Sequence, residues 1–373
     1  MALKLSFGLL ALATFASAAN FRRVACPDGV HTATNEACCV FHSLADHLQT
    51  ITFNFTCGED AHEALRLTFH DAIGFSFMNE ALGGGADGSI MIFEDTELMD
   101  PANNGVDDAI DNLRPLLTMF DISAGDLIQF AGAVAVSNCP GAPKLEFMAG
   151  RPNATHPAAL GLVPKPEDPV DMIFARMEDA GFSPTELVGL LASHSIARSD
   201  TLIDNRQAVP FDSTPFTFDT QIFLEVLLAG QESQTLPAAA GEVAAQVPNP
   251  LVAQGEMRLQ SDFAIAHSTE SNCFWQSLVN DQNNMMIHFH DAMAKLAVVG
   301  QDTSKMIDCS EAIPEPVPPV AKPATFPAGT GPELLQLSCT ENIPFPSLAT
   351  DPGQATTIPE CPDGDINLND CPS

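Results

Sequence analysis

The stretch GEDAHEALRLTFHD at residues 58–71 holds the side chains whose types and spacing most directly imply chemistry. In a helix turning about 100° per residue, with Glu59 at zero, Glu63 lies at about 40°, Arg66 at about 340° and His70 at about 20°. Two carboxylates, a guanidinium and an imidazole then share one narrow face over roughly 16 Å. A solvated stripe would be the ordinary explanation of a glutamate pair. Here Leu65, Leu67, Thr68 and Phe69 bury the His70 end, so the helix reads as a site with two stations. Arg66 and His70, one turn apart, suit heterolysis of a peroxide. The imidazole takes the proton from one oxygen and returns it to the other, and the arginine stabilises charge on the leaving oxygen. Such chemistry needs an electron-rich iron beneath it, and hence a second histidine. His194, closing TELVGLLASHS, is the candidate.

The elements that must hold these residues read as helices. DDAIDNLRPLLTMF, SAGDLIQFAGAVAVSN, SPTELVGLLASHSIARS and NNMMIHFHDAMAKLAVVG carry apolar residues at three- and four-residue spacing. SAGD and SPTE look like capping boxes. Strand-type alternation is scarce, so residues 24–309 are expected to form a predominantly α-helical domain of the all-α class, long enough for one or two packed lobes. After Cys309 the chain turns proline-rich and acidic, and EPVPPVAKP reads as extended polyproline-like chain. Because Cys339, Cys361 and Cys371 lie in this 310–373 tail, it is expected to be stapled to the globular part. FHDA recurs at 289–292, but Met286 stands one turn before His290 where Arg66 precedes His70. Without the charge partner, His288 and His290 read as residues of a packing helix.

Residues 1–18 describe a secretory signal peptide, with Lys4, an apolar run and an Ala-Ser-Ala ending. Arg22–Arg23 then reads as a dibasic processing site, leaving a short 19–23 propeptide and a mature chain from near Val24. A secreted destination makes the ten cysteines disulfide partners; spacing alone does not assign their connectivity. The sequons at Asn54 and Asn153 fit N-glycosylation. A net charge of −33 argues against nucleic acid and suits either work in acid or the gathering of cations. No segment after the leader is long enough to span a membrane. The chain has no tyrosine and a single tryptophan, Trp275, against 24 phenylalanines, a composition that would protect a protein generating strong oxidants.

RLTFHDA with LLASHSIARSD resembles the fungal secreted class of the plant-type haem peroxidase superfamily. The likeness extends from ACPDG through GGGADGSIMIF, AGAVAVSNCPGAP and VPFDSTP to LQSDFAIAH and GQDTSKMIDCS. It implies a two-lobed helical fold with one haem b between the lobes. It further implies that His70 is the distal acid–base with Arg66 as its partner and Phe69 over the haem. Asn103, with Glu97 behind it, would orient His70. His194 would ligate the iron, Asp262 would accept its other N–H, and Phe211 would pack on that side. Two calcium ions are implied, one on Asp71, Gly85, Asp87 and Ser89, the other on Ser195, Asp212, Thr214, Thr217 and Asp219. The resemblance also makes Cys26, Cys38, Cys39, Cys57, Cys139, Cys273, Cys309, Cys339, Cys361 and Cys371 all bridge cysteines.

Manganese-oxidising members bind Mn(II), a substrate, on residues matching Glu59, Glu63 and Asp200, beside a haem propionate. Oxygen-only ligands suit that ion, and Arg198 is placed to orient one glutamate. Lignin-oxidising and versatile members use a surface tryptophan five residues before the proximal histidine; that position is Gly189 here. Trp275 matches a structural tryptophan. The tail resembles that of the longer manganese peroxidases and is expected to shield the propionate edge. The expected activity is therefore extracellular oxidation of Mn(II) by hydrogen peroxide, with organic-acid chelators carrying Mn(III) to phenolic, lignin-type substrates, by a monomer. Two rivals stand: a generic low-potential haem peroxidase acting on phenols directly, and a secreted calcium-binding scaffold. A zinc hydrolase is disfavoured because no HExxH helix is present.

Overall fold

The computed structural model describes residues 23–199, 202, 209–230, 241–243, 256–319, 322–341 and 343–352. The signal peptide, all but Arg23 of the propeptide, Asp200, Cys361 and Cys371 lie outside the described residues.

The described chain is helical, with strand only as four antiparallel pairs of two residues each. Helix α1 (Cys39–His47) leads to α2 (Glu59–Ala72), which begins at the first glutamate of the motif and carries it to His70. Short α3 (Ser89–Ile92) and α4 (Glu94–Glu97) precede α5 (Asp107–Phe120) and α6 (Ala124–Ser137). Then come α7 (Val170–Asp179), α8 (Pro184–Leu190), α9 (Gln221–Glu225), α10 (Gln260–His267), α11 (Asn272–Leu278) and α12 (Gln282–Leu296). The apolar face of α5, Ala109, Ile110, Leu113 and Leu116, is buried as its spacing predicts, whereas every residue of α6 is buried.

The two expected capping boxes differ. At α8, Ser183 and Glu186 satisfy one another's backbone N–H groups. At α6, Ser123 caps as expected but Asp126 does not reciprocate. Its carboxylate instead accepts from the backbone of Gly150 and Arg151 and from the buried Arg151 guanidinium. Pairing a buried cation removed the carboxylate from its local role.

Helix α2 lies along α6 because position 132 is glycine: a Cβ there would sit 2.2 Å from the Thr68 methyl. Gln129 of α6 donates to the Thr68 carbonyl at 3.1 Å. Just past His70, Arg176 donates to the carbonyls of Ile73 and Leu162, both at 2.8 Å, and pairs with Asp179. This half-buried clamp fixes where α2 ends.

Position 189 is buried in α8, and a Cβ on Gly189 would lie 2.9 Å from the His288 carbonyl oxygen of α12. No aromatic side chain stands at this place in the chain. Gly189→Ala is expected to lower stability by about 1–3 kcal/mol through overpacking. Helix propensity alone would raise it by about 1 kcal/mol. A thermal melt decides the sign. On α12, His288 packs edge-on against Phe274 at 4.6 Å and His290 pairs with Asp291 at the surface, so neither joins the α2 site.

Among the described residues, four disulfides join Cys26–Cys39, Cys38–Cys309, Cys57–Cys139 and Cys273–Cys339. The last ties the tail to α11. The tail also exchanges backbone hydrogen bonds with the segment after α9, Ala229 to Leu334 and Gln336 to Leu227, both at 2.7 Å. Gln221 grips Thr325 from both sides, and Gln276 of α11 donates to the Ile343 carbonyl. The described tail is thus a strap over α9 and α11. Asn54 and Asn153 are both exposed, and Trp275 is fully buried with its indole N–H on the Phe223 carbonyl.

Candidate active site

His70 stands near the buried end of α2. Its Nδ1 lies 2.8 Å from Asn103 Oδ1, and the Asn103 amide donates to the Glu97 carbonyl at 2.9 Å. With the amide nitrogen so committed, Oδ1 must face the imidazole and His70 Nδ1 must carry the proton. Nε2 is left as the base. Burial, reinforced by the Arg66 guanidinium, holds the His70 pKa down to about 3, against the opposing pull of Asn103. The imidazole is therefore neutral across mildly acidic and neutral pH. Arg66 donates to the Asn104 carbonyl at 2.9 Å, on the same loop that supplies Asn103. Phe69 meets His70 edge-on at 6.0 Å. Glu97 acts on Asn103 through its backbone only. Its carboxyl accepts from Ala158 N, and burial raises its pKa to about 6.

His194 lies where α8 tightens into a 3₁₀ turn, Leu191–Ile196. Its Nδ1 is 2.7 Å from Asp262 Oδ2, and the Phe211 ring meets it edge-on at 5.3 Å. A buried carboxylate accepts only from a protonated Nδ1, so Nε2 presents its lone pair. That Nε2 makes no hydrogen bond among the described residues, and the imidazole keeps 24% of its surface open within an otherwise packed turn. The donor set fits a haem iron: His194, made electron-rich by Asp262, could ligate the metal through Nε2, and His70 offers a second, neutral imidazole whose Nε2 can act as a base.

At the first turn of α2, Glu59 pairs with the Arg198 guanidinium, whose side chain is 1% exposed. Glu63 follows one turn later, half-buried. Arg198 sits on a short ladder with Pro210, which places this end of α2 beside the segment after His194. Among the described residues, the only convergent group of soft and imidazole donors is Cys57, His62 and Cys139. Its two sulfurs are joined in a disulfide and are not thiolates.

The two expected calcium sets are buried carboxyl clusters with unmet acceptors. Asp71 Oδ2 accepts from Gly88 N at 3.0 Å, while its Oδ1 and the Ser89 hydroxyl have no partner. Asp87 Oδ1 accepts from Ser89 N, and Gly85 turns the loop at φ 77°. In the second set, Asp212 is fully buried with Oδ2 unpartnered, and Thr214 bridges Asp212 and Asp219. Thr217 closes the loop by donating to the Thr214 carbonyl, and the Ser195 hydroxyl donates to Ala192 O. Burial pushes Asp71 and Asp212 well up, with Asp87 and Asp219 respectively adding repulsion. A hard dication on the orphaned oxygens would reverse both effects. Glu225 and Glu256 bury two further carboxyls beside the second set. An acid inside the apolar run QIFLEVLL was the signal that could have revealed Glu225.

With no cation bound, these acids have folded pKa values above their unfolded ones, so the folded state holds more protons. Its stability is then lost as pH rises through the folded values, for Asp219 from 3.8 through about 6. Melting temperature in chelator is expected to fall steadily from about pH 4 to about pH 7 while the calcium-loaded protein shows no such fall. Identical slopes would mean the clusters hold no cation.

A family model described as Peroxidase matches residues 42–281, and one for the Fungal peroxidase extension region matches residues 284–362. The chain is 54% identical to manganese peroxidase H4 of Phanerodontia chrysosporium, over 93% of this chain and 91% of the relative. It is 52% identical to manganese peroxidase 2 of Phlebia radiata, over 98% and 96%. It is 48% identical to versatile peroxidase VPS1 of Pleurotus eryngii, over 91% and 92%. With most of its length matched by these models and about half its residues shared with such relatives, the chain belongs to the peroxidase family and carries the fungal peroxidase extension at its C-terminal end.

Proposed function

We propose that this protein is an extracellular manganese peroxidase. It uses hydrogen peroxide to oxidise Mn(II) to Mn(III), whose organic-acid chelates then oxidise phenolic, lignin-type substrates. The observation that carries this reading is one helix, α2, bearing an Arg–His peroxide station at one end and a glutamate pair, one member braced by Arg198, at the other.

Haem, held by His194, would supply the redox chemistry that takes two oxidising equivalents from peroxide. His70 Nε2 accepts the proton from one peroxide oxygen and delivers it to the other, so that the second leaves as water. Arg66 stabilises the charge on that leaving oxygen. Asp262, by accepting from His194 Nδ1, would make that imidazole a stronger donor to the iron. Glu59, Glu63 and Asp200 bind Mn(II), and their negative charge favours the trivalent product. Calcium on the Asp71 and Asp212 sets braces the segments that carry His70 and His194. Residues 1–18 direct secretion, 19–23 are removed, 24–309 are the catalytic domain and 310–373 the anchored tail of a monomer.

The test is Mn(III)-chelate formation, followed by absorbance with haem-loaded protein, peroxide and malonate. A signal that requires Mn(II) supports the reading. Phenol oxidation at the same rate without Mn(II) would favour the generic peroxidase.

A further inference from the structure

The manganese end of α2 is held by more than its own glutamates. Arg198, which pairs with Glu59, is almost wholly buried, and a buried cation needs compensation on each face it presents. On one side this is the Glu59 carboxylate. Another neighbour is the ring of Phe216, whose centroid lies 5.4 Å from the guanidinium carbon, inside the range at which a π face attracts a cation. The same ring faces His62 at 6.2 Å and 30°. His62 sits on α2 between Glu59 and Glu63, with its Nε2 3.5 Å from the sulfur of Cys57. Phe216 therefore stands beside both the arginine behind the first glutamate and the helix that carries the pair.

Its place in the chain adds a second link. Phe216 lies between Thr214 and Asp219, inside the loop that closes the second acidic set. That loop is thereby linked through one half-buried ring to the Arg198–Glu59 pair.

We propose that Phe216 is a positioning residue for manganese. Its ring fixes the plane of the Arg198 guanidinium, and the guanidinium fixes the Glu59 carboxylate at the angle from which it meets the ion. The inference rests on the manganese reading above. A methyl-terminated side chain at 216 would fill much of the space but present no π face. Arg198 would then follow Glu59 rather than hold it. A phenol ring, by contrast, keeps the face.

The test uses full-length, haem-loaded protein as wild type, Phe216→Leu, Phe216→Tyr, Arg198→Ala and the Phe216→Leu/Arg198→Ala pair. The readouts are the Mn(II) dissociation constant, taken from the haem absorbance change on titration of the resting protein, and KM for Mn(II) against kcat. The rate of reaction with peroxide is measured alongside. Phe216→Leu is expected to weaken Mn(II) binding about tenfold, the lower end for a group acting on a metal ligand from behind it, with the peroxide rate at the wild-type value. Phe216→Tyr is expected to bind as wild type. Since Phe216 acts through Arg198, the pair should bind no more weakly than Arg198→Ala alone. An unchanged constant in Phe216→Leu, or a further tenfold loss on the Arg198→Ala background, would overturn the proposal. Failure of the wild type to show saturable Mn(II) binding would instead count against the functional reading on which it rests.

Discussion

Replacing His70 with leucine is expected to lower the rate constant for reaction with hydrogen peroxide by about 10⁴-fold, the upper end for loss of a general acid–base. Mn(II) binding by the resting protein should be unaffected. The size follows from how completely the structure commits this imidazole. Asn103 leaves only one ring nitrogen unprotonated, and burial with Arg66 keeps that nitrogen neutral down to about pH 3. The sign of the pH dependence follows too. The base is lost only on protonation, so the peroxide rate should be flat at mildly acidic pH and fall as pH drops through about 3. Asn103→Ala should lower the plateau far less than His70→Leu does. Without the amide both tautomers of the imidazole are allowed, and the active one remains populated. Stopped-flow mixing with peroxide over a pH series reads both quantities.

The second large effect is expected at the other station. A unit charge 4 Å from its partner is worth about 4 kcal/mol at an effective dielectric of 20, roughly three orders of magnitude in affinity. Glu59→Gln with Glu63→Gln removes two such charges while keeping the side-chain volumes. Mn(II) oxidation at a fixed, low Mn(II) concentration should fall by at least about 10³-fold. The peroxide reaction should stay at its wild-type rate, because His70 lies about two to three helical turns away on the same face. The Arg198 guanidinium, deprived of Glu59, becomes a buried cation with less compensation, so some loss of thermal stability should accompany the change.

The α2 station pair was legible because it is local. One helix, one periodicity and four chemically distinct side chains suffice to place Glu59, Glu63, Arg66 and His70 on a line, and the helix begins at Glu59. His194 and Asp262 are 68 positions apart, so no spacing rule joins them; resemblance named the pair and the structure brings the two into contact. Asp126 shows the opposite failure. SAGD has the form of a capping box, yet a distant arginine takes the carboxylate, since pairing a fully buried guanidinium outweighs a cap. The clamp of Arg176 on the chain beyond His70 and the approach of Arg198 to the Phe216 ring were illegible for the same reason. Each depends on segments that meet only when the chain is folded. The position of the tail was partly readable: cysteines in a proline-rich stretch require an anchor, and Cys273 provides it for Cys339. Its backbone pairing with the segment after α9 leaves no trace in residue type.

The central claim is that one helix carries two separable stations, one for peroxide and one for manganese. The most direct measurement is sequential-mixing stopped flow. Haem-loaded protein is first oxidised with one equivalent of peroxide and then mixed with Mn(II), in wild type, His70→Leu and Glu59→Gln/Glu63→Gln. The account predicts that His70→Leu abolishes the first phase and that the double glutamine variant passes through it at the wild-type rate but stalls in the second. Reduction of that variant by Mn(II) at the wild-type rate would contradict it.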